Sequence, residues 1–153
     1  MTFPPMARNK SLSLLILSLT LGGFIACAAK QPLSKKMILA AELDRKGMEY
    51  YSQAQYPKAL GFFQKALGFY ESVDNREGVA RSFNHLGNVY QALGDYSRAL
   101  HHYHQALKIN DEIGNEEGQA TNLNNIGNVS LRLGKPEVAM EFFQKSLAID
   151  ERR

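Results

Sequence analysis

The 153-residue chain has one cysteine, no tryptophan and no acidic residue before Glu42. A single cysteine excludes an internal disulfide framework and a cysteine-based zinc finger. The net charge is only +3. Without Arg8 and Lys10, 16 basic side chains face 15 acidic ones. Such a balance lacks the concentrated basic footprint that nucleic-acid binding needs. Also missing are a glycine-rich phosphate loop between strand and helix, a paired-carboxylate signature and a nucleophile–base set. Catalysis and a cofactor are therefore not expected. What is present is 44% hydrophobic and 22% charged, proportions that exclude wholesale disorder. The length suits one small domain with a targeting segment.

The first 26 residues read as a signal peptide. Arg8 and Lys10 precede an apolar run from Leu12 to Ala29, whose only interruptions are small or hydroxyl residues. Basic residues stay on the cytoplasmic side while the membrane core accepts the run. Its end, Ile25-Ala26-Cys27, resembles a bacterial lipoprotein box, with the only cysteine at the lipidation position. That resemblance implies a lipid-anchored, exported protein of the cell envelope. Ala28 after the cysteine favours the outer membrane, facing the periplasm. Two other outcomes stay open. Ala26-Cys27-Ala28 also fits ordinary cleavage after Ala28, which releases a soluble secreted protein. Left uncleaved, the run is just long enough for an inner-membrane anchor. Residues 27–39 read as a tether, with Pro32 in a short polar stretch.

The remainder repeats three times, at 40–79, 80–119 and 120–153. Gly47, Gly87 and Gly127 keep one register, as do Ala40, Ala80 and Ala120, and Ala59, Ala99 and Ala139. Phe63, Tyr103 and Phe143 recur as aromatics. Phe62-Phe63-Gln64-Lys65-Ala66-Leu67 returns almost unchanged at 142–147. In the second copy Phe83, Leu86, Val89 and Leu93 follow helical spacing. Gly94-Asp95 then supplies a left-handed stop and an N-cap, and Ala99, Leu100, Tyr103, Ala106 and Leu107 mark a second helix. Pro57 and Pro136 fall where second helices begin. A glycine in mid-helix costs about 1 kcal/mol, so the recurrent glycines predict close helix approach, with Ala59, Ala99 and Ala139 facing them. Ser130 replaces Tyr50 and Tyr90, which predicts looser packing of the third hairpin. One hairpin cannot bury its apolar face alone, so the three must stack.

Phe83, Leu86, Gly87, Tyr90, Ala99, Tyr103 and Ala106 resemble the tetratricopeptide repeat (TPR) pattern, in register three times. The resemblance implies an all-α solenoid of three helical hairpins, six helices in all, behind the signal peptide. The 40-residue period is similar to that of spindle-orientation adaptors and kinesin light chains, with the added length expected in the second helix and its turn. It implies a concave groove lined by the first helices. Its lining would be Asp44, Arg45 and Met48, then Arg81, Asn84, His85 and Asn88, then Thr121, Asn124, Asn125, Asn128 and Arg132. Asn84 and Asn88 share one helix face, as do Asn124 and Asn128. An amide both donates and accepts, matching a peptide backbone. Asn125-Ile126-Gly127-Asn128 matches the Asn-Leu-Gly-Asn motif by which such adaptors hold extended peptides, and His85 departs from it.

The expected partner is thus a protein or peptide held in that groove. The nearest functional likeness is to TPR lipoproteins that help assemble envelope machines. No capping helix follows Arg153, so the alternative is a structural protein that self-assembles through its ends. His101, His102 and His104 lack cysteines or repeating acids beside them and read as surface residues rather than a metal site.

Overall fold

The computed structural model describes residues 34–153. The expected signal peptide at 1–26, Cys27 and the tether up to residue 33 lie outside the described residues. Six α-helices follow one another: α1 Lys35–Ser52, α2 Tyr56–Ser72, α3 Arg76–Ala92, α4 Tyr96–Glu112, α5 Glu116–Arg132 and α6 Pro136–Asp150. The last part of the presumed tether is therefore helical. Ser34 explains why: its Oγ accepts the N–H of Met37 at 3.1 Å and caps a helix that begins at Lys35.

Each turn has three residues, and the middle one is left-handed. Gly94, Gly114 and Gly134 take φ of +77°, +66° and +71°, and Ala54 and Asp74 take +56° and +51° in the first copy. A side chain in that region costs about 1–2 kcal/mol, so the first copy carries strain that the others avoid. One hydrogen bond closes every turn. The N–H of the third turn residue returns to the helix before it, as from Asp95 to the Tyr90 carbonyl and from Asn115 to the Asn110 carbonyl, at 2.9 and 2.8 Å. Asn75, Asp95 and Asn115 then cap the next helix through their side chains. In the second copy both helices are 17 residues long. The second helix thus equals the first in length.

Consecutive helices pack antiparallel, as the short turns require. A Cβ on Gly47, Gly87 or Gly127 would lie 2.5, 2.5 or 2.6 Å from the ring of Phe63, Tyr103 or Phe143. The glycines thus face rings rather than the alanines expected opposite them. Ala59, Ala99 and Ala139 are fully buried beside those rings. A second set, Gly78 and Gly118, admits Tyr70 and Asn110 between hairpins. The third hairpin brings its helices together as extensively as the others, despite Ser130. Ser130 is buried, and its Oγ donates to the Ile126 carbonyl at 2.9 Å.

The close contacts separate two kinds of glycine. Gly87→Val forces a branched side chain into the Tyr103 ring and is expected to destabilise by about 1–3 kcal/mol. Gly61 lies in α2 with nothing near its missing Cβ. Gly61→Ala is expected to stabilise by up to about 1 kcal/mol through helix propensity. Urea midpoints of the two variants check the ordering, and equal or reversed shifts would refute it.

Candidate peptide-binding groove

The odd-numbered helices lie side by side and are joined by polar rungs. The first rung links α1 to α3. Asp44, 7% exposed, accepts from Arg81 Nε at 2.9 Å through Oδ2. Arg81 also donates to the Tyr70 hydroxyl at 2.9 Å. Burial opposes the guanidinium charge, but the hydrogen bonds to Asp44 and Tyr70 outweigh it, so Arg81 is held firmly protonated. His85 stacks on Phe63 with centroids 4.8 Å apart. Its Nε2 lies 3.9 Å from Asp44 Oδ1, and its buried Nδ1 has no partner.

The second rung links α3 to α5. Asn84 Oδ1 accepts from Asn122 and from Asn125, both at 2.9 Å. Asn122 is 1% exposed and accepts from Asn110 at 2.8 Å. Asn110 in turn accepts from Asn115 at 3.0 Å. A chain of amides thus runs from a turn, through α4 and α5, to α3. Buried amides need such partners, because an unsatisfied one costs about 1–3 kcal/mol. Asn84 and Asn125 therefore tie helices together. Asn122 and Asn110 were not among the expected site residues. The sequence does carry their signal: both amides replace Tyr70 and Ser82 of the preceding copy together.

The remaining expected residues divide further. Asn88 accepts from the Tyr103 hydroxyl at 2.7 Å, and Gln91 Oε1 lies at the same distance from that hydroxyl. Burial pushes the Tyr103 phenol well above its usual value, so it remains a donor. Asn124 and Asn128 are exposed and linked to each other only at 3.4 Å. Arg45 is exposed beside Glu49 at 3.9 Å. Arg132 is exposed and makes no ion pair among the described residues. It borders an open recess of about 370 Å³ with Tyr51, Asn88, Gln91, Tyr96 and Asn125. A second open recess, about 270 Å³, lies where Glu77, Arg81, Asn84, Thr121 and Asn122 meet. The face therefore offers amides and one free cation at one end, and Glu77 and Glu117 at the other.

Outside this face, His102 stacks on Tyr90 at 5.2 Å, and Phe83 is 5.9 Å away. His104 meets Phe142 edge-on at 6.4 Å. The described residues contain no group of three or more His, Cys, Asp or Glu placed to hold a metal.

Burial lowers the pKa of His85, His102 and His104 below the usual imidazole value. Asp44 works against the shift at His85, while His101 adds to it at His102 and His104. The unfolded chain then binds protons that the folded chain refuses, so stability falls as pH drops below about 6.5. Thermal melts at about pH 7.5 and 5.5 are expected to show the lower Tm in acid. His85→Asn, which installs the residue found at Asn125, is expected to flatten that dependence. A Tm that rises on acidification would refute the reading.

Solved structures share this architecture. The TPR domain of Arabidopsis FLU aligns with 77% of this chain and 99% of its own, at 21% identity and TM-score 0.71. Aspartyl phosphate phosphatase F from Bacillus subtilis matches 78% of the chain at 16% identity and TM-score 0.75, over 32% of its own length. The N-terminal domain of stress-induced protein-1 from C. elegans matches 76% of the chain and 88% of its own, at 18% identity and TM-score 0.65. At these identities the likeness is one of fold. None of the curated proteins matches significantly. Residues 38–112 and 78–152 each match the tetratricopeptide repeat family. With three hairpins closed by the same glycine–ring contact, the chain belongs to the tetratricopeptide repeat family.

Proposed function

We propose that this chain is a non-catalytic adaptor that holds an extended peptide segment of a partner protein at the bacterial cell envelope. TPR domains generally bind protein partners, and TPR proteins are generally scaffolds rather than enzymes. The observation that carries the reading is the state of the asparagines. Asn84 and Asn125 already have partners within the solenoid, whereas Asn124, Asn128 and Arg132 on α5 are open to solvent. The open amides supply donors and acceptors to a peptide backbone. Arg132 adds a bidentate site for a carboxylate.

The envelope address rests on the sequence. Arg8, Lys10, the apolar run and Cys27 support export followed by lipidation. Several acyl chains would anchor the protein firmly, each buried methylene adding about 0.8 kcal/mol. Among the described residues no helix is long and apolar enough to cross a membrane.

Capture from native envelopes separates groove from scaffold. Asn128→Ala with Arg132→Ala is expected to lose the partner with unchanged helicity and melting. Asn84→Ala is expected to lower stability by about 1–3 kcal/mol, because Asn122 loses its acceptor. Undiminished capture by the first variant would overturn the groove reading. For the anchor, Cys27→Ser is expected to move the protein from the membrane to the soluble fraction, and an unmoved protein would overturn lipidation.

A further inference from the structure

The first hairpin presents an outer face unlike those of the other two. On α2, Lys58, Phe62, Lys65 and Phe69 recur at helical spacing, with Gly61 and Gly68 beside the two rings. Lys58 and Lys65 are exposed, and their ammonium groups lie over the rings of Tyr50 and Phe62 at 5.1 and 5.8 Å. Those two rings stack on each other at 5.2 Å. Further along, Lys36 of α1 joins Gln64, Lys65, Gly68, Phe69 and Ser72 around an open, mainly apolar groove of about 330 Å³. Ile38 and Leu39, at the start of α1, are 55% and 40% exposed.

Charge and backbone both set this face apart. Lys36, Lys58 and Lys65 make no ion pair among the described residues. Glu71, the one acid of α2, borders the recess of Asp74 and Arg76 instead. The matching positions of the later hairpins are neutralised: Arg98, in the place of Lys58, pairs with Asp95, and Lys108, in the place of Gly68, lies 4.0 Å from Glu112. α6 carries Glu141 where Gly61 stands. Gly61 and Gly68 have nothing within 4 Å of a missing Cβ, so no contact inside the chain explains two glycines that weaken the helix. They leave the half-buried Phe62 and Phe69 rings reachable from outside.

Six residues separate Cys27 from Ser34. Even fully extended, that stretch spans no more than about 25 Å. Lipidation at Cys27 therefore keeps the start of α1 within that distance of the membrane. Lys30, Lys35 and Lys36 are the only charged residues between Cys27 and Glu42.

We propose that this face of the first hairpin docks on the anionic lipid surface in which Cys27 is anchored, a role that rests on the lipidation proposed above. The ammonium groups of Lys36, Lys58 and Lys65 meet lipid phosphates while their alkyl stems lie along the apolar groove. Phe62 and Phe69 sit at headgroup depth, as the apolar side of an interfacial helix does. Ile38 and Leu39 add apolar surface near the tether. A weak contact suffices, because the anchor holds the face close to its ligand. α2 is an even-numbered helix, so docking through it leaves the odd-helix groove uncovered.

The chain has no tryptophan, so Gly68→Trp gives a single reporter at a position where added side-chain atoms meet nothing. Ala148→Trp puts the same reporter at the matching exposed position of α6. Protein purified from envelopes in detergent is reconstituted into vesicles of phosphatidylcholine with a fixed share of brominated lipid, with or without phosphatidylglycerol. The Gly68→Trp fluorescence is expected to be quenched about twofold more with phosphatidylglycerol than without. Adding Lys58→Glu and Lys65→Glu is expected to remove the difference, and Ala148→Trp to show none. Flotation with the vesicles reads anchoring separately. A chain that floats without the added quenching, or with equal quenching of Ala148→Trp, overturns the docking and leaves lipidation standing. A chain that does not float overturns both. Gly68→Trp emission that already shifts to the blue with rising protein concentration in detergent marks a second copy on this face, which also overturns the proposal. Should Gly68→Trp lose helicity, Ser72→Trp, exposed in the same groove, replaces it.

Discussion

Each hairpin closes on a contact that leaves no space for a Cβ: Gly47 on Phe63, Gly87 on Tyr103, Gly127 on Phe143. The ring lies directly against helical backbone, so its position fixes both the separation of the two helices and their register. The consequences reach the groove. Tyr103 is fully buried by this contact, yet its hydroxyl emerges at Asn88 and Gln91. A residue whose ring sets the packing thus also orients side chains on the odd-helix face. Phe143 and Phe63 have no hydroxyl, so only the middle hairpin ties its groove side chains to its core in this way. The glycines weaken each helix by about 1 kcal/mol. Close approach compensates by burying an aromatic ring on every side, and stability then grows with each neighbour added.

Stacking the hairpins poses a second problem, because the odd helices meet along a face that also borders solvent. The solution differs at each step. Between α1 and α3 it is ionic: Asp44, buried, with Arg81 and the imidazole of His85. Between α3 and α5 it is neutral, a chain of amides centred on Asn84. The ionic rung is sensitive to acid and the neutral one is not. Asp44 is buried while the Arg81 side chain is 43% exposed, so losing the guanidinium leaves a buried carboxylate uncompensated. The first junction is therefore the more easily disturbed by a single change.

The fold was legible because three copies average out local ambiguity. Gly94, Gly114, Pro57 and Pro136 marked helix ends through their backbone chemistry alone. Ala54 and Asp74 take the same left-handed turn without glycine, and only their register with Gly94 and Gly114 reveals them. The partner of each glycine was not legible. Spacing put Ala59 and Phe63 on the same face, one turn apart, and did not say which one the glycine touches. The groove was half legible. Asn84, Asn88, Asn125 and Asn128 lie on the expected helices, but whether an amide faces solvent or the next helix depends on an interaxial distance that one strand of sequence does not encode. Asn122 escaped notice for the same reason. Its role appears only when Asn110, on another helix, is seen to change with it.

On the odd-helix face, polar positions of the first two copies are covered by the following hairpin. Asp44 is covered by Arg81 and His85, and Asn84 by Asn122 and Asn125. Asn124, the next residue in the series, has only the exposed Asn128 at 3.4 Å. Leu60 and Leu100 are partly buried by the helices that come after them, and Met140 is exposed. The exposed amides and the exposed Met140 and Leu147 belong to one hairpin, α5 and α6. Because each repeat contacts only its neighbours, those surfaces are also the ones whose exposure costs the rest of the molecule least. At the same positions in the first two copies the corresponding side chains serve the fold.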